Sequence, residues 1–349
     1  MQFLLDPDIV YLNHGGYGAC PAPVFEAYQR FQRELERNPS EFLGRRFHEL
    51  TGGARAVLAA FVGARAEDLV FVPNATAALN AVIRSLELDP DDEVLTTRHE
   101  YGAIARTWAF AGAKLVYAEP EEIVGAIGPR TRAVSVSHIT SPTAIVLPIE
   151  EICAAAREAG ALSIVDGAHV PGHLPLDLER LGADVYAGNC HKWLSAPKGA
   201  GFLWARPEHQ RWIVPLVVSW GWGDDASFAE RHGWQGTRDP AAALAVPAAI
   251  DAHRSFDLDR CRALAASFHD RLPPYGGTPA PQMWTTELEV DDPEELQGRL
   301  FDEHRIEVVV REWEGRSLLR VSIAPYNDAA DVERLLDALA GYTALPTRP

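Results

Sequence analysis

Apolar residues in this chain gather into short β-rich runs, and stretches with helical spacing separate them. "DLVFVP" (68–73) precedes the helical "ATAALNAVIRSL" (75–86), and "DEVLTT" (92–97) precedes "YGAIARTWAFAG" (101–112). "RAVSVSHI" (132–139) leads through a loop to "PIEEICAAAREAG" (148–160), followed by "ALSIVDGA" (161–168), "ADVYAGN" (183–189) and "GAGFLWA" (199–205). Strands alternating with helices at this spacing predict an α/β fold with a mostly parallel sheet flanked by helices. Near-continuous apolar runs indicate strands buried on both faces. Beyond about residue 245 the order changes. A helical run to about 270 precedes "QMWTTELEV" (282–290), helix "PEELQGRLFDEHR" (293–305), strands "IEVVV" (306–310) and "SLLRVSI" (317–323), and helix "DAADVERLLDALAGY" (328–342). This is a smaller α+β unit, joined at "GTRDP" near residue 240. The expected division is therefore 1–245, an N-terminal segment plus a large domain, and 246–349, a small C-terminal domain. No internal repeats or low-complexity tracts are expected, and no tail beyond the terminal "PTRP".

Composition narrows the class without naming a partner. The 349 residues carry a formal net charge of −17, which argues against a nucleic-acid binder, since phosphate neutralisation needs a basic surface. Cys20, Cys153, Cys190 and Cys261 are scattered without C-x-x-C spacing, so a zinc ribbon or disulfide scaffold is not expected. The start "MQFLLDPDIV" lacks the basic region of a signal peptide, and no run reaches the ~18–20 apolar residues of a membrane span. The expectation is a cytoplasmic protein acting on a small molecule.

The chemistry collects where strands end. Asp166 closes "LSIVD", and Lys192 follows one strand later in "DVYAGNCHKWLSAPKGAGFLWA" (184–205). A carboxylate and a lysine so placed are costly unless they serve each other or a ligand. In parallel sheets, ligands bind beyond the carboxyl ends of the strands. The pair suits pyridoxal phosphate: the lysine amine condenses with the aldehyde and the aspartate partners the pyridine nitrogen, making the ring an electron sink. The alternative for Asp166 is a turn or cap residue. "PNATAALN" (73–80) offers the amides of Ala75 and Thr76 to a phosphate at a helix N-terminus, or is simply a cap. "RHEYGAI" (98–104) supplies flat groups, His99 and Tyr101.

Together, "NATAALN", "HEY", "SHITSPT", "DGAH", "HKWL", "GTRD" and "RVSIAPYN" resemble the fold-type I pyridoxal-phosphate enzymes of the class V aminotransferase group. "YLNHGGYGACP" and "HKWL" are most similar to its isopenicillin-N-epimerase-like branch, which also contains carbon–sulfur lyases. The motifs run in family order from residue 11 to 327. The resemblance implies Lys192 as the lysine that condenses with the cofactor, Asp166 at the pyridine nitrogen, His169 near the ring hydroxyl and Tyr101 stacked on the ring. It also implies phosphate contacts from Ala75, Thr76, Asn189 and His191. Ser141 stands where the desulfurase branch has asparagine. Thr237 matches a residue reaching the neighbouring subunit's phosphate, which implies a homodimer with composite sites. Arg320 matches the arginine that holds the substrate carboxylate, with Asn13 and His14 of the N-terminal motif on the substrate side.

Several other readings compete. Asp166, His169 and His173 suggest a metal site, but Pro171 and Gly172 break the helix such spacing needs. "GYGACP" (16–21) has Pro21 where a dinucleotide fingerprint needs glycine. "SWGWGDDASFAERHGW" (219–234) is a substrate gate or a structural aromatic cluster. A desulfurase needs a nucleophilic cysteine ahead of the carboxylate-binding arginine, and "VVVREWEGRSLLR" (308–320) has none. The resemblance puts epimerisation of an amino-acid centre first, with Cβ–S elimination and transamination as alternatives. A second proton donor for epimerisation is Tyr101 or His14. A non-catalytic pyridoxal-fold protein is disfavoured by the retention of Lys192, Asp166 and Arg320.

Overall fold

The structure is a computed structural model and describes residues 1–343. The chain opens with a short strand, β1 (Val10–Tyr11), and then forms helices Ala22–Arg37 and Phe47–Phe61. Seven strands follow: β2 (Leu69–Val72), β3 (Glu93–Thr96), β4 (Lys114–Tyr117), β5 (Thr131–Ser137), β6 (Leu162–Gly167), β7 (Val185–Asn189) and β8 (Gly201–Ala205). They form one sheet in the order β2-β8-β7-β6-β5-β3-β4. Only β8 runs against its neighbours, so the sheet is mostly parallel, as the sequence predicts.

The alternation within β6 shows why this sheet is covered twice. Ile164 joins Val185, Ala187 and Leu203 in a core beneath helices Ala75–Ser85 and Gly102–Phe110. The adjacent Val165 faces the opposite core with Tyr186, Phe202 and Trp204, closed by helices Phe47–Phe61 and Ile149–Ala159. Every residue of β6 is buried. Successive side chains of a strand point to opposite faces, so this apolar run needs both layers.

A smaller antiparallel sheet follows, built from β9 (Met283–Leu288), β11 (Val309–Trp313) and β12 (Arg316–Ser322), in the order β11-β12-β9. The run read as one strand over 306–310 is divided: β10 (Ile306–Glu307) pairs in parallel with β1, and β11 begins at Val309. The N-terminal segment thus joins the C-terminal layer, with Val10 and Leu12 in the same core as Trp284, Leu319 and Val321. Ser322 N–H donates to the Leu12 carbonyl, and Gly15 N–H to Ser322 Oγ. Conversely, Val246, Ala249 and Ile250 pack in the large core. The two cores therefore cut across a division at residue 245. The helical run to 270 is also broken, into Ala241–Leu244, Val246–His253 and Leu258–Ser267, with Asp257 capping the last piece through Arg260 N–H. Strand β4 and the two N-terminal helices were not foreseen. The terminal "PTRP" and the end of the expected second domain lie outside the described residues.

After Asn13, the segment 14–18 turns sharply against the loop carrying Lys192. Gly18 has φ 70° and ψ 167°, a region open essentially to glycine alone. A Cβ there would sit 1.8 Å from the His191 carbonyl oxygen. Lys198 Nζ donates to the Gly18 carbonyl at 3.1 Å, fixing the same contact. Gly18→Ala is expected to destabilise the protein by about 2 kcal/mol or more, since residues held in such regions cost of order 1–3 kcal/mol even without a clash. Gly53→Ala, on an open helix face with nothing within 4 Å of a new Cβ, is expected to stabilise by roughly 0.5–1 kcal/mol. Thermal melts of the two variants beside the parent protein check both signs.

Candidate active site

Lys192, Asp166, Asn189 and Ser137 converge because β5, β6 and β7 run parallel and end together. Ser137 pairs in register with Asp166, and Gly167 with Gly188 just before Asn189. The turn after β2 brings Asn74, Ala75 and Thr76 to the same edge, and β12 brings Arg320 from the smaller sheet. These residues line one cavity of about 420 Å³, with Asn13, Tyr101, Ser141, His169 and His191. That size lies within the roughly 300–1,000 Å³ of small-ligand sites.

Lys192 Nζ lies 3.2 Å from His169 Nε2. Burial pushes its ammonium down to about 7, with Arg320 and Arg311 acting in the same direction and Asp166 opposing them. Burial likewise holds His169 neutral, well below the usual imidazole range, and the charge of Lys192 adds to this. With His169 neutral, its Nε2 lies within hydrogen-bond distance of the lysine nitrogen. Asp166 Oδ1 accepts from Ala168 N–H at 2.9 Å. Burial raises its carboxyl above the ordinary aspartate value, while that hydrogen bond and Lys192 hold it down.

Arg320 is buried and anchored by Nη1 to the Ser141 carbonyl at 2.5 Å and to Ser141 Oγ at 3.3 Å, while its Nε has no partner. Burial, and then Arg311, lower its guanidinium to about 9. Ser141 therefore orients the arginine. The phosphate turn is more constrained than its sequence suggested. Ala75 N–H already donates to Asn189 Oδ1 at 2.8 Å, and Ala77 N–H to Asn74 Oδ1 at 2.9 Å. Asn189 thus ties the turn to β7, and Thr76 lines the cavity. Tyr101, 47% exposed, begins helix Gly102–Phe110 on the cavity wall. His191 Nδ1 accompanies the Ala200 carbonyl at 3.3 Å.

Four sequence candidates lie elsewhere. His14 is buried behind the wall, its Nδ1 3.0 Å from Tyr326 Oη and its ring against Trp193. Burial lowers it to about 3, and it does not line the cavity. His99 is turned away toward Thr143 Oγ1, at 2.9 Å, and Trp313. Thr237 is exposed in a separate open groove with Trp220 and Trp222. His173 stacks on Trp193 with centroids 3.9 Å apart, and its Nε2 accepts from Gln282 N–H, a packing role beneath the lysine loop.

Two residues escaped sequence reasoning. Glu100, between His99 and Tyr101, accepts from Ser137 Oγ at 2.5 Å and Thr97 Oγ1 at 2.8 Å. Burial raises its carboxyl to about 7, and Asp166 contributes in the same direction. The signal was an acidic residue inside a motif read only for its aromatic members. Arg311 also lines the cavity. Its signal was its position two residues from Val309 on a strand facing the same space.

The donor set fits pyridoxal phosphate. The lysine amine is near neutrality, a carboxylate ends the adjacent strand, and the Thr76 amide opens a helix N-terminus. His169 Nδ1 and Arg320 Nε are buried without a partner. Residues 10–274 match the model of the aminotransferase class-V family. The chain is 36% identical to an isopenicillin N epimerase of Amycolatopsis lactamdurans, over 97% of this chain and 96% of that protein. It is 31% identical to a putative L-cysteine desulfhydrase of Oryza sativa subsp. japonica, over 71% of this chain and 58% of that one. Among solved structures, a cystine C–S lyase complexed with cysteine persulfide superposes with TM-score 0.83 at 24% identity, covering 97% of this chain and 99% of that one.

Because Lys192 is lowered to about 7, its nucleophilic neutral form is present above that pH. Cofactor uptake by the apoprotein is expected to accelerate with a midpoint near pH 7, about three units below an ordinary lysine. Arg320→Leu is expected to move the midpoint up, by removing a repelling charge, and Asp166→Asn to move it down. Stopped-flow absorbance across pH 5.5–10 measures all three.

Proposed function

The chain belongs to the aminotransferase class V family of pyridoxal-phosphate enzymes, and we propose that it epimerises the α-carbon of an amino acid. The observation that carries this reading is the cavity wall itself: Lys192 and Tyr101 line it beside Tyr17, His169 and His191, so it carries more than one group able to move a proton, and it holds no cysteine. Full-length similarity to isopenicillin N epimerases supports it.

Pyridoxal phosphate, when bound, supplies an electron sink that acidifies the Cα–H of an amino acid. Lys192, Asp166, His169, Tyr101, Ser141, Thr76, Asn189 and His191 would hold it. Asp166, desolvated but supported by Ala168 N–H, keeps a negative charge at the strand end for a ring nitrogen. The guanidinium of Arg320, with its position fixed by Ser141, receives the substrate α-carboxylate, for which a planar fork is well shaped. Lys192 Nζ, neutral in part at pH 7, accepts the Cα proton, and neutral His169, with Nε2 at 3.2 Å, orients the amine. Tyr101 Oη is the proton donor that inversion requires from a second group, since His14 does not reach the cavity. A desulfurase reaction would need a thiol at the substrate. Among the described residues, Cys153, Cys190 and Cys261 are buried, and burial raises Cys20 to about 11.

The desulfhydrase relatives favour one second reading, elimination at Cβ, which needs Lys192 but no opposite donor. Incubating the holoenzyme with an amino-acid panel in deuterated water separates them. Cα exchange with racemisation is expected; release of pyruvate or sulfide would establish the lyase, and keto-acid formation a transaminase. Tyr101→Phe is expected to slow racemisation while sparing Cα exchange. Borohydride reduction should place the cofactor's mass on the Lys192 peptide, and a label on Lys198 would overturn the assignment. Asp166→Ala is expected to retain cofactor and lose about 10²-fold or more in rate, the usual effect of removing such an electrostatic partner.

Homodimerisation belongs to the same proposal. Thr237, exposed beside a 92% exposed Trp220, would complete a neighbouring subunit's phosphate site. Mixing inactive Lys192→Ala and Thr237→Ala chains is then expected to restore part of the activity. A monomer fully active at assay concentration would end that claim.

A further inference from the structure

Arg311 is the cation in the cavity for which the reading above finds no use. It lies on β11, whose register with β12 places Val309 opposite Arg320 and Arg311 opposite Leu318. Directly opposed residues of an antiparallel pair share a face, as do residues two apart on one strand. Arg311, Val309 and Arg320 therefore project from one face, and all three line the cavity. The alternate residues, Val310, Leu319 and Val321, fill the core on the other face. Arg311 and Arg320 are diagonal neighbours, whose Cα atoms such ladders set roughly 7–8 Å apart.

The two arginines differ in what holds them. Arg320 is buried and tied to Ser141. Arg311 is exposed at the cavity mouth, where the groups acting on its charge are the phenols of Tyr101 and Tyr17, with no carboxylate among them. Two like charges so close raise each other's cost, and Arg320 is lowered partly by Arg311. The phenols of Tyr17 and Tyr101 offset part of that repulsion, and no side-chain carboxylate among the described residues is hydrogen-bonded or ion-paired to Arg311. The phosphate-binding candidates Thr76, Asn189 and His191 come from the large sheet, away from this strand pair. Once the α-carboxylate occupies Arg320, one unpartnered guanidinium remains on the same wall.

We infer that Arg311 receives a second carboxylate, carried on the substrate's side chain, so that the enzyme selects amino acids with two acidic ends. The inference rests on the amino-acid reading above and names its substrate class. A guanidinium takes a carboxylate through two parallel hydrogen bonds, and a side-chain amide of equal size offers one acceptor and no charge.

The test titrates holoenzyme with L-aspartate, L-glutamate and L-2-aminoadipate, each paired with its side-chain amide, following the cofactor absorbance band. Cα–H exchange in deuterated water is read on the same samples. For at least one length the diacid is expected to bind about 10- to 100-fold tighter than its amide, the range of one charge-assisted pair. Arg311→Gln is expected to remove that preference with the Kd of the amide unchanged, and Arg311→Lys to restore part of it. Equal binding within every pair in the parent enzyme overturns the inference. Equal weakening of diacid and amide by Arg311→Gln overturns it too, assigning Arg311 to the α-carboxylate or the fold. A diacid preference accompanied by Cα–H exchange without racemisation upholds Arg311 and overturns the epimerase reading. Racemisation without any preference does the reverse.

Discussion

The desolvation of one lysine organises this molecule. An ammonium buried beside a guanidinium is unfavourable, and the fold accepts it by surrounding Lys192 with groups that gain when its amine is neutral. His169 lies within hydrogen-bond distance and is itself neutral by burial. The loop bearing the lysine is clamped from behind. Trp193 stacks on His173, His173 accepts from Gln282, and Gly18 allows the N-terminal segment to lie against the His191 carbonyl. A side chain at Gly18 would displace the backbone on which the reactive amine hangs. Stability and chemistry here depend on the same contact.

The second organising fact is that the site is shared between two cores. The large sheet supplies the carboxylate, the lysine and the anion turn at its strand ends. The smaller sheet supplies both arginines. Arg320 spans the gap by donating to Ser141, a residue of the loop after β5, and β1 stitches the chain's beginning to β10. The N-terminal segment therefore carries Asn13 and Gly16 into the cavity from the small-domain side. Relative movement of the cores would change the distance between the substrate's anchor and the cofactor's.

Much of this was legible in the chain. Strand ends at Asp166 and Asn189 could be read because buried parallel strands are continuous apolar runs and polar residues interrupt them. Lys192 stood out because nothing nearby in sequence could pair with it. The division of 306–310 was hidden, because "IEVVV" has no turn residue, and only the partner β1 explains why Ile306 and Val309 serve different sheets. His14 and His99 misled for a common reason. Histidine is a candidate ligand by type, but only packing reveals which ring nitrogens are already engaged. Arg311 could have been placed from sequence. "EG" at 314–315 makes a two-residue hairpin with both residues at positive φ, 49° and 75°, the turn that fixes register in such hairpins. From Trp313 opposite Arg316, the ladder counts back to Arg311 beside Leu318 and Val309 beside Arg320.

That count also resolves an apparent conflict between the whole chain and its cavity. The protein carries a formal charge of −17, yet two guanidinium groups, Arg311 and Arg320, and the partly protonated Lys192 face a single cavity. Asp166 is the carboxylate that reaches the same space, and Glu100 behind it is pushed toward its neutral form. In a cleft with low-dielectric walls, fixed charges of one sign focus the local potential. The surface repels anions weakly through screened solvent, because exposed charges fade over about 8 Å at physiological salt, while the cavity attracts them at short range. Net charge thus argues against nucleic acid in the sequence reading but is silent on the ligand. The ligand's charge is written instead in the register of one hairpin.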